Sequence, residues 1–500
     1  MSIRSITTDQ YKFLARECDE LILEASEDRD QRVAINFLHV IRESQTTLER
    51  YNSIFKPNNN NFLLSLSNFY GLVKNILLSA YYLLKSIFFH EKKITNLNGM
   101  PIDFLFISHY VGEQNISDDF HDSYFGDLIN KLEQSGSRSI VALINHTRDS
   151  SVCFKSKKNS IPIFLLHNSL NFSKILSIYR KLFSTFFLIK NGNRGGVSSK
   201  IIAKAKIEVF SPSTIRNTII ASQIKDIVSC YNPKCIVITY EGHAWERLAF
   251  SVTRSINPDI KCIAYQHAPV FRLQHAIRRN IGSKYNPDII LTSGLISKRQ
   301  LEESKKLNGI PISILGSNRS YNAKSEEHSR KLNSKSCLVA PEGSIKECNI
   351  LFYFSLRCAN KMPDTIFIWR LPPLITLDSL IDYNKIFLDL PKNILLSKGS
   401  LKDDILSVNS ILYRGSSVVI QSVVMGLRPI YLKVQDELTI DPLYELVSGR
   451  VVVSSVDEFI DMYNKSINYH DIKLMAEYCE RLYTPLNSSV LEDIISNHDK

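Results

Sequence analysis

Short apolar runs rich in β-branched residues alternate with longer amphipathic stretches over residues 102–291. The short runs predict buried strands and the longer stretches predict helices. Predicted strands cover 102–107, 139–145, 161–166, 235–239, 261–265 and 288–291, and predicted helices cover 124–134, 173–188, 214–229 and 244–254. Strands that alternate with helices in this way are typical of parallel βαβ units, so we expect a parallel sheet covered by helices.

The same alternation starts again after a polar stretch at 317–336, which we interpret as a linker. Predicted strands cover 337–340, 365–369, 393–397, 410–413 and 429–432, and predicted helices cover 346–361, 401–406, 418–425, 456–467 and 470–484. The pattern therefore predicts an α/β fold with two Rossmann-like, doubly wound domains, at 99–325 and 326–468, and a C-terminal helix at 469–500. Ligands of such sheets bind beyond the carboxyl ends of the strands, so the site should lie in a cleft between the domains.

Residues 1–98 predict a helical N-terminal extension that contains a densely apolar segment at 62–89. Lys74 and Lys85 interrupt that segment, and the ten residues between them are too few to span a bilayer, which takes about 20. The spacing predicts an amphipathic helix with one apolar side, formed by Phe62, Leu66, Phe69, Val73, Ile76, Ala80, Leu83 and Ile87. The opposite side gathers Ser67, Gly71, Lys74, Asn75, Ser79 and Lys85. Two interpretations stay open: the apolar side packs on the protein, or it contacts a membrane interface.

Composition narrows the class of protein. The chain has 500 residues, 44% hydrophobic and 22% charged, which excludes disordered and collagen-like classes and suggests more than one domain. Its formal net charge is +11 and its pI is near 9.0, which favours anionic partners. The basic residues are dispersed and no recognition motif accompanies them, so we expect no nucleic-acid partner. The absence of GxGxxG and GxxxxGK[ST] disfavours dinucleotide enzymes and P-loop NTPases.

The nine cysteines and the first residues of the chain bear on its location. The cysteine count is odd, and no pair has the CxxC spacing of a zinc or redox site. Free cysteines of this kind fit a reducing cytoplasm. The N-terminal sequence MSIRSITTDQYKF lacks the apolar core of a secretory signal. We therefore expect a cytoplasmic protein, with peripheral contact to the inner membrane as an open alternative.

Two segments of the first unit place reactive groups where strands end. The segment YEGHAWE follows the strand CIVIT and contains Glu241, His243 and Glu246. Glu241 is a candidate general base and Glu246 a candidate orienting group, although both acids also suit a helix N-terminus. The segment YQHAP follows the next strand and supplies His267, which could donate a hydrogen bond to a phosphate or a hydroxyl. The basic loop after it begins with Arg272, and a solvated surface is the alternative interpretation of its charges.

The second unit carries candidate anion-binding turns. Gly343 and Ser344 lie between a strand and a helix, where free backbone N–H groups suit an anion. Ser416 and Ser417 precede an almost wholly apolar helix, and Arg370 ends the neighbouring strand FIWR, so together they predict a phosphate site. An ordinary serine N-cap is the structural alternative.

These residues resemble a known family. The segments APEGSIKECNILF, FIWRLPP and LSKGSLKDDILSVNSILYRGSSVVIQSVVMGLRPIYL, with YEGHAWE, YQHAP and NPDIILTSG, are similar to GT-B glycosyltransferases of bacterial surface-polysaccharide synthesis. The resemblance extends loosely over residues 102–435 and is strongest to the branch with Kdo transferases and polysialyltransferase-like enzymes. Two features differ: Arg370-Leu371-Pro372-Pro373 replaces a common Arg-x-His-Pro motif, and Gln421 stands where a glutamate often binds ribose.

The resemblance implies a metal-independent transfer of a sugar from a nucleotide donor, favoured as a CMP-activated ulosonic acid such as Kdo, sialic or pseudaminic acid. The acceptor would be a glycan or lipid-linked glycan of a capsule or lipopolysaccharide. Glu241, His267 and Glu246 would be catalytic, and His243 and Arg272 would bind the acceptor. The implied donor-binding residues are Gly343, Ser344, Arg370, Ser400, Ser416, Ser417 and Gln421.

The sequence predicts no cofactor and leaves two alternative functions open. No DxD motif occurs in a suitable place, so we expect no obligatory metal and no cofactor. Two alternatives remain, namely a transferase that moves a polyol phosphate from a CDP-linked donor, and a non-catalytic GT-B relative that binds glycan.

Overall fold

The computed structural model describes residues 5–56, 61–88, 101–111, 120–147, 161–190, 194–321, 335–466 and 468–498. Within them the chain forms two parallel β-sheets of seven and six strands, each covered by helices. The predicted fold class, two doubly wound α/β domains that face a cleft as in the GT-B type, is confirmed.

The first domain is built on a seven-stranded sheet with the order β3-β2-β1-β4-β5-β6-β7. The strands are β1 (Phe104–Tyr110), β2 (Ser139–Asn145), β3 (Ile163–Leu166), β4 (Cys235–Thr239), β5 (Lys261–Gln266), β6 (Ile289–Thr292) and β7 (Ile312–Ile314). Successive side chains of β1 point to opposite faces, so Phe104 and Leu105 belong to two different apolar cores. Both faces are therefore buried, as a parallel sheet requires. The carboxyl ends of β1, β4 and β5 lie side by side because these strands are neighbours.

Helices cover both faces of this sheet. They are α6 (Leu128–Gln134), α7 (Phe172–Leu188), α8 (Gly196–Glu208), α9 (Pro212–Tyr231), α10 (Ala244–Ile256) and α11 (Leu295–Glu302). Helix α9 starts with Ser211, whose side chain accepts from the Thr214 backbone N–H, and it ends at Asn232 in the left-handed conformation. These are the expected start and stop signals of a helix.

The second domain is built on a six-stranded parallel sheet with the order β10-β9-β8-β11-β12-β13. Its strands are β8 (Ser336–Pro341), β9 (Ile366–Trp369), β10 (Ile394–Leu396), β11 (Ser410–Arg414), β12 (Arg428–Leu432) and β13 (Val451–Val453). Its helices are α12 (Ile345–Lys361), α13 (Leu377–Tyr383), α14 (Leu401–Ser407), α15 (Val418–Val424) and α16 (Val456–Asn464). The central position of β8 and β11 brings the turns after them to the middle of the cleft edge.

The end of the chain connects the two domains. It forms α17 (Tyr469–Leu482) and α18 (Ser489–His498), where the sequence pattern predicted a single C-terminal helix. Met475 and Cys479 of α17 belong to the core of the second domain, whereas Leu491 of α18 belongs to a core of the first. The backbone N–H of Ser317 donates to the carbonyl of Thr484 at 2.7 Å, so the two crossing segments are joined.

The N-terminal extension packs on the first domain and shares its core. It contains α1 (Thr8–Leu23), α2 (Arg29–Ala34), α3 (Gln45–Leu48), α4 (Asn52–Phe55) and α5 (Asn61–Ile87). Leu14 and Leu38 of the extension join one apolar cluster with Ile175 of α7 and Ile219 of α9. Residues 57–60 and 89–98, at the predicted turn and beyond the apolar helix, lie outside the described part of the chain.

Helix α5 forms as predicted, but the side of the helix that packs on the protein is not the predicted apolar side. Leu66, Phe69 and Val73 of the predicted apolar side are exposed, and so are Ile76 and Ile87. The side that faces the protein instead carries Gly71, Leu72, Asn75, Ser79, Tyr82, Leu83 and Ser86. Packing of the predicted apolar side on the protein is therefore wrong for most of its described positions. No described helix is long and apolar enough to cross a membrane.

Candidate functional site

A cavity of about 530 Å³ opens between the carboxyl ends of the two sheets. From the first domain it is lined by groups that follow β4 and β5, including Glu241 and His267. From the second domain it is lined by the turns after β8, β9 and β11. The predicted location of the site, in a cleft beyond the strand ends, therefore coincides with the cavity.

The turn after β4 holds Glu241 at the cavity. Gly242 has φ +90°, and a Cβ there would lie 2.3 Å from the backbone carbonyl of Ala276, so only glycine fits. The buried Glu246 carboxylate accepts hydrogen bonds from the backbone N–H groups of Gly242 at 2.7 Å and His243 at 2.8 Å, and from that of Glu241 at 3.1 Å. Glu246 does not line the cavity, and its contacts fix the turn that presents Glu241.

Charge in this turn favours the ionised form of Glu241. Burial alone raises the pKa of Glu241, but the hydrogen bond to His243, with Nε2 3.3 Å from Oε2, and the nearby positive charges hold it well below its usual range. The same pairing raises the pKa of His243 against the opposing effect of burial. Burial raises the pKa of Glu246 to about 7. Of the two acids in this turn, Glu241, which faces the cavity, is therefore the more readily ionised.

A group of aromatic and histidine rings surrounds Glu241. His267 packs edge-on against Tyr124, with ring centroids 4.5 Å apart, and burial lowers its pKa to about 4. Behind them, His109 at the end of β1 lies with Nδ1 2.8 Å from Nε2 of His146 at the end of β2. Burial holds the pKa of His109 well below its ordinary value, so this imidazole is neutral near pH 7.

The turns of the second domain that line the cavity carry the predicted small and hydroxyl residues. Gly343 is exposed, and Ser344 caps α12 by accepting from the Glu347 backbone N–H at 3.2 Å. Ser416 and Ser417 follow Gly415, whose φ is +69° and whose Cβ would lie 2.8 Å from a carboxylate oxygen of Glu342. Only a glycine at 415 therefore fits the turn that brings the serine pair to the cavity.

Arg319 is the main cation of the cavity, and the sequence pattern placed it in a linker. Its Nη1 donates to Oγ of Ser417 at 3.3 Å, and its guanidinium lies over the Tyr124 ring, 5.8 Å from the centroid. Gln421 does not line the cavity. Its Nε2 donates a hydrogen bond to the backbone carbonyl of Arg319 at 3.2 Å. Among the residues that the structure describes, no carboxylate forms an ion pair with Arg319. Its charge is available to an anion.

The remaining predicted site residues either bond to other residues of the protein or do not line the cavity. Arg370 lines the cavity, but its Nη1 is 2.6 Å from a carboxylate oxygen of Asp404, which offsets its charge. Ser400 lies outside the cavity lining and caps α14 by accepting from the Asp403 backbone N–H. His243 contacts Glu241 without lining the cavity, and Arg272 is an exposed residue of the following loop.

The structure adds residues that sequence reasoning missed. Arg42 of the N-terminal extension lines the cavity and forms an ion pair with Glu342 of the second domain. Tyr124 lines it from the segment before α6. The local sequence around these residues carries no motif, so only the fold brings them to the site. Among the described residues, no group of three or more His, Cys, Asp or Glu side chains could hold a metal ion.

No protein-family model matches the chain, and no curated protein matches it significantly. Its structure is similar to a glycotransferase of kitacinnamycin, with 11% identity, 80% of this chain and 100% of that chain covered and a TM-score of 0.46. A UDP-GlcNAc 2-epimerase from Neisseria meningitidis matches with 14% identity, coverage of 79% and 99% and a TM-score of 0.43. The glycosyltransferase SnogD from Streptomyces nogalater matches with 13% identity, coverage of 79% and 99% and a TM-score of 0.45. Values this low assign neither chemistry nor substrate to this chain.

Proposed function

We propose that this protein is a glycosyltransferase that moves a sugar from a nucleotide donor to a glycan acceptor. One observation carries the proposal: an ionised Glu241 and a group formed by Arg319, Ser416 and Ser417 line the same cavity. A base and an anion cradle in one cavity are what sugar transfer from a phosphate leaving group needs.

The donor phosphate is proposed to lie on the two serine hydroxyls and the Arg319 guanidinium. A guanidinium without a carboxylate partner in the described structure gains a charge-assisted hydrogen bond when a phosphate binds. Arg370 takes a secondary part, because Asp404 already neutralises it. Gln421 acts on the same phosphate indirectly, by holding the Arg319 backbone. Gly343 and Ser344 line the same cavity, and the proposal assigns them contacts to the rest of the nucleotide.

The proposed donor is a CMP-activated ulosonic acid, such as Kdo, sialic or pseudaminic acid. Its phosphate and its sugar carboxylate are both anionic, and the chain has a formal net charge of +11. The proposed acceptor is a glycan or lipid-linked glycan of a surface polysaccharide. Its location would be the cytoplasm, in peripheral contact with the inner membrane.

The reaction is proposed to proceed by direct displacement at the sugar. The acceptor hydroxyl attacks the anomeric carbon, its proton passes to the Glu241 carboxylate, and the bond from the anomeric carbon to the phosphate oxygen breaks. The nucleotide phosphate leaves with the bonding electron pair, and Arg319 and the serine hydroxyls stabilise its charge. Because the cleft would hold donor and acceptor together, the attack becomes effectively unimolecular, which lowers its entropic cost.

Neighbouring residues are assigned supporting roles in this proposal. His243 orients the Glu241 carboxylate through its 3.3 Å contact, and Glu246 positions the turn that carries both. His267 is neutral near pH 7 and can donate a hydrogen bond to the acceptor hydroxyl or the donor phosphate. Arg272, exposed on the loop after β5, is available to an anionic acceptor.

The direct test is product analysis with a panel of activated donors and a surface-glycan acceptor. We expect the nucleotide to be released in equal amount to the sugar transferred, with no phosphorus of the donor in the product. A product that gains phosphorus from the donor would instead establish transfer of a polyol phosphate from a CDP-linked donor. Absence of turnover with every donor, together with absence of nucleotide binding, would leave the non-catalytic glycan-binding alternative.

A further inference from the structure

Helix α5 presents large apolar side chains to the outside of the molecule. Phe69 is 67% exposed, Leu77 is 69% exposed and Leu84 is 62% exposed. Tyr70, Leu78, Tyr81, Ile87 and Phe88 are exposed along the same helix. A contiguous apolar patch of this kind marks a contact surface, since scattered single residues are the rule on soluble proteins.

The orientation of α5 is fixed by polar and small residues on its inner side. Asn75 Nδ2 donates to the carbonyl of Ile207 on α8 at 2.9 Å, and the Tyr179 hydroxyl on α7 donates to the carbonyl of Ser79 at 2.6 Å. A Cβ at Gly71 would lie only 3.4 Å from a side-chain carbon of Ile207. The same inner side packs Leu72, Tyr82 and Leu83 against an apolar core, so the other large apolar side chains of the helix point outward.

Helix α7 extends the patch next to α5. Phe172, Leu176, Phe183, Phe187 and Leu188 of this helix are also exposed. Neither helix contains an aspartate or glutamate. Lys74 of α5 and Arg180 and Lys181 of α7 are exposed beside the apolar side chains. Apolar and aromatic residues interspersed with cations and free of acids complement an anionic lipid surface.

We propose that the outward faces of α5 and α7 lie in the interface of an anionic phospholipid bilayer. The patch carries the exposed cations Lys74, Arg180 and Lys181, and neither helix contains an acid, so anionic headgroups would attract it and a second copy of it would not. The described part of α5 is not apolar enough to span, so the contact is interfacial. This deepens the peripheral location included in the proposed function by naming the surface and the lipid class.

The test measures partition of the full-length protein onto sedimenting vesicles, without nucleotide or acceptor. One set of vesicles contains phosphatidylglycerol and phosphatidylcholine, and the other contains phosphatidylcholine alone. We expect binding to the anionic vesicles, weakened about tenfold or more by Leu77→Glu on α5 and by Phe187→Glu on α7. The matched control is Leu388→Glu, at a leucine of the second domain that is 66% exposed, and it should bind like the wild type.

The reversal Lys74→Glu with Lys181→Glu should weaken binding to anionic vesicles and reduce its salt dependence. Thermal unfolding of each variant checks that it folds, and the α5 and α7 variants are independent of each other. Absence of wild-type binding to anionic vesicles, or binding that Leu77→Glu and Phe187→Glu leave unchanged, would overturn the proposal. So would a dimer in solution that Leu77→Glu converts to a monomer, because a second copy would then cover the patch. Because no nucleotide is present, failure here is separate from failure of the proposed transfer reaction.

Discussion

Arg319 Nη1 donates a hydrogen bond to Oγ of Ser417, 3.3 Å away, across the boundary between the two domains. Arg319 comes shortly after β7, the last strand of the first sheet, and Ser417 follows β11, a central strand of the second. The pair lines the cavity together with Ser416. A phosphate bound there would contact groups from both domains, so donor binding and domain arrangement are coupled.

Replacing Arg319 with glutamine should weaken nucleotide binding about 10- to 100-fold, because it removes the one cavity cation without a described acid partner. Ser416→Ala with Ser417→Ala should weaken binding in the same direction. Calorimetric titration measures both effects. Arg357→Gln, at an exposed arginine of α12, is the matched control and should leave the affinity unchanged. Equal affinity for Arg319→Gln and wild type would remove Arg319 from the phosphate site.

Replacing Glu241 with glutamine should lower the rate of sugar transfer by a factor of about 10² to 10⁴, the range supplied by a positioned proton acceptor. Nucleotide affinity should stay unchanged, because Glu241 belongs to the first domain's part of the lining and the phosphate is assigned to the serine pair and Arg319. Initial rates and calorimetry on the same preparation separate the two effects. Glu303→Gln, at an exposed glutamate of the first domain, serves as the control. Transfer at the wild-type rate in Glu241→Gln would exclude this carboxylate as the base.

Asp19 predicts a pH dependence of stability. Its carboxylate is 2.9 Å from Arg279 Nη1 and 2.8 Å from His275 Nε2, and these partners outweigh burial and hold its pKa well below the ordinary value of 3.8. Because the folded-state pKa is lowered, the stabilisation is fully present above about pH 4 and is lost as pH falls towards the folded-state pKa. Asp19→Asn should cost roughly 3–5 kcal/mol near neutral pH, since it leaves the buried Arg279 unpaired.

Urea unfolding of Asp19→Asn at a series of pH values measures this contribution. The difference in unfolding free energy from the wild type should be constant from pH 5 to neutral pH and should shrink below pH 4. Asp461→Asn, at an exposed position of α16, should change stability little at any pH. A difference that grew on acidification would contradict the assignment of a stabilising ion pair.

The strands, and the polar residues that follow them, are the features that the sequence predicted well. The apolar runs at 235–239 and 410–413 lie within β4 and β11, and the polar residues directly after them, Glu241 and the serine pair, reach the cavity. Residues of this kind are predictable because a parallel sheet places every strand's carboxyl end at one edge. The strands β7 and β13 and the helices α8, α11 and α13 were not predicted, as their patterns are short or interrupted.

What the sequence did not predict depends on contacts between distant segments. Arg279 belongs to a loop whose charges also fit a solvated surface, yet it is fully buried against Asp19, 260 residues earlier. His109 and His146 meet only because β1 and β2 pair in register. Helix α5 shows that hydrophobicity defines an amphipathic helix but not which side packs, since the packed side combines the hydrogen bonds of Asn75 and Tyr179 with apolar contacts of Leu72 and Leu83.

Calorimetric titration of the protein with CMP, CDP, UDP and GDP shows whether the cleft binds the nucleotide of an activated sugar. We expect saturable binding of one nucleotide per chain, selective for CMP, and weakened in the variant that combines Ser416→Ala and Ser417→Ala. Selective binding of another nucleotide would change the donor class but keep the transferase. Binding of none of the four, or binding that the double serine variant leaves unchanged, would contradict the nucleotide site in this cleft.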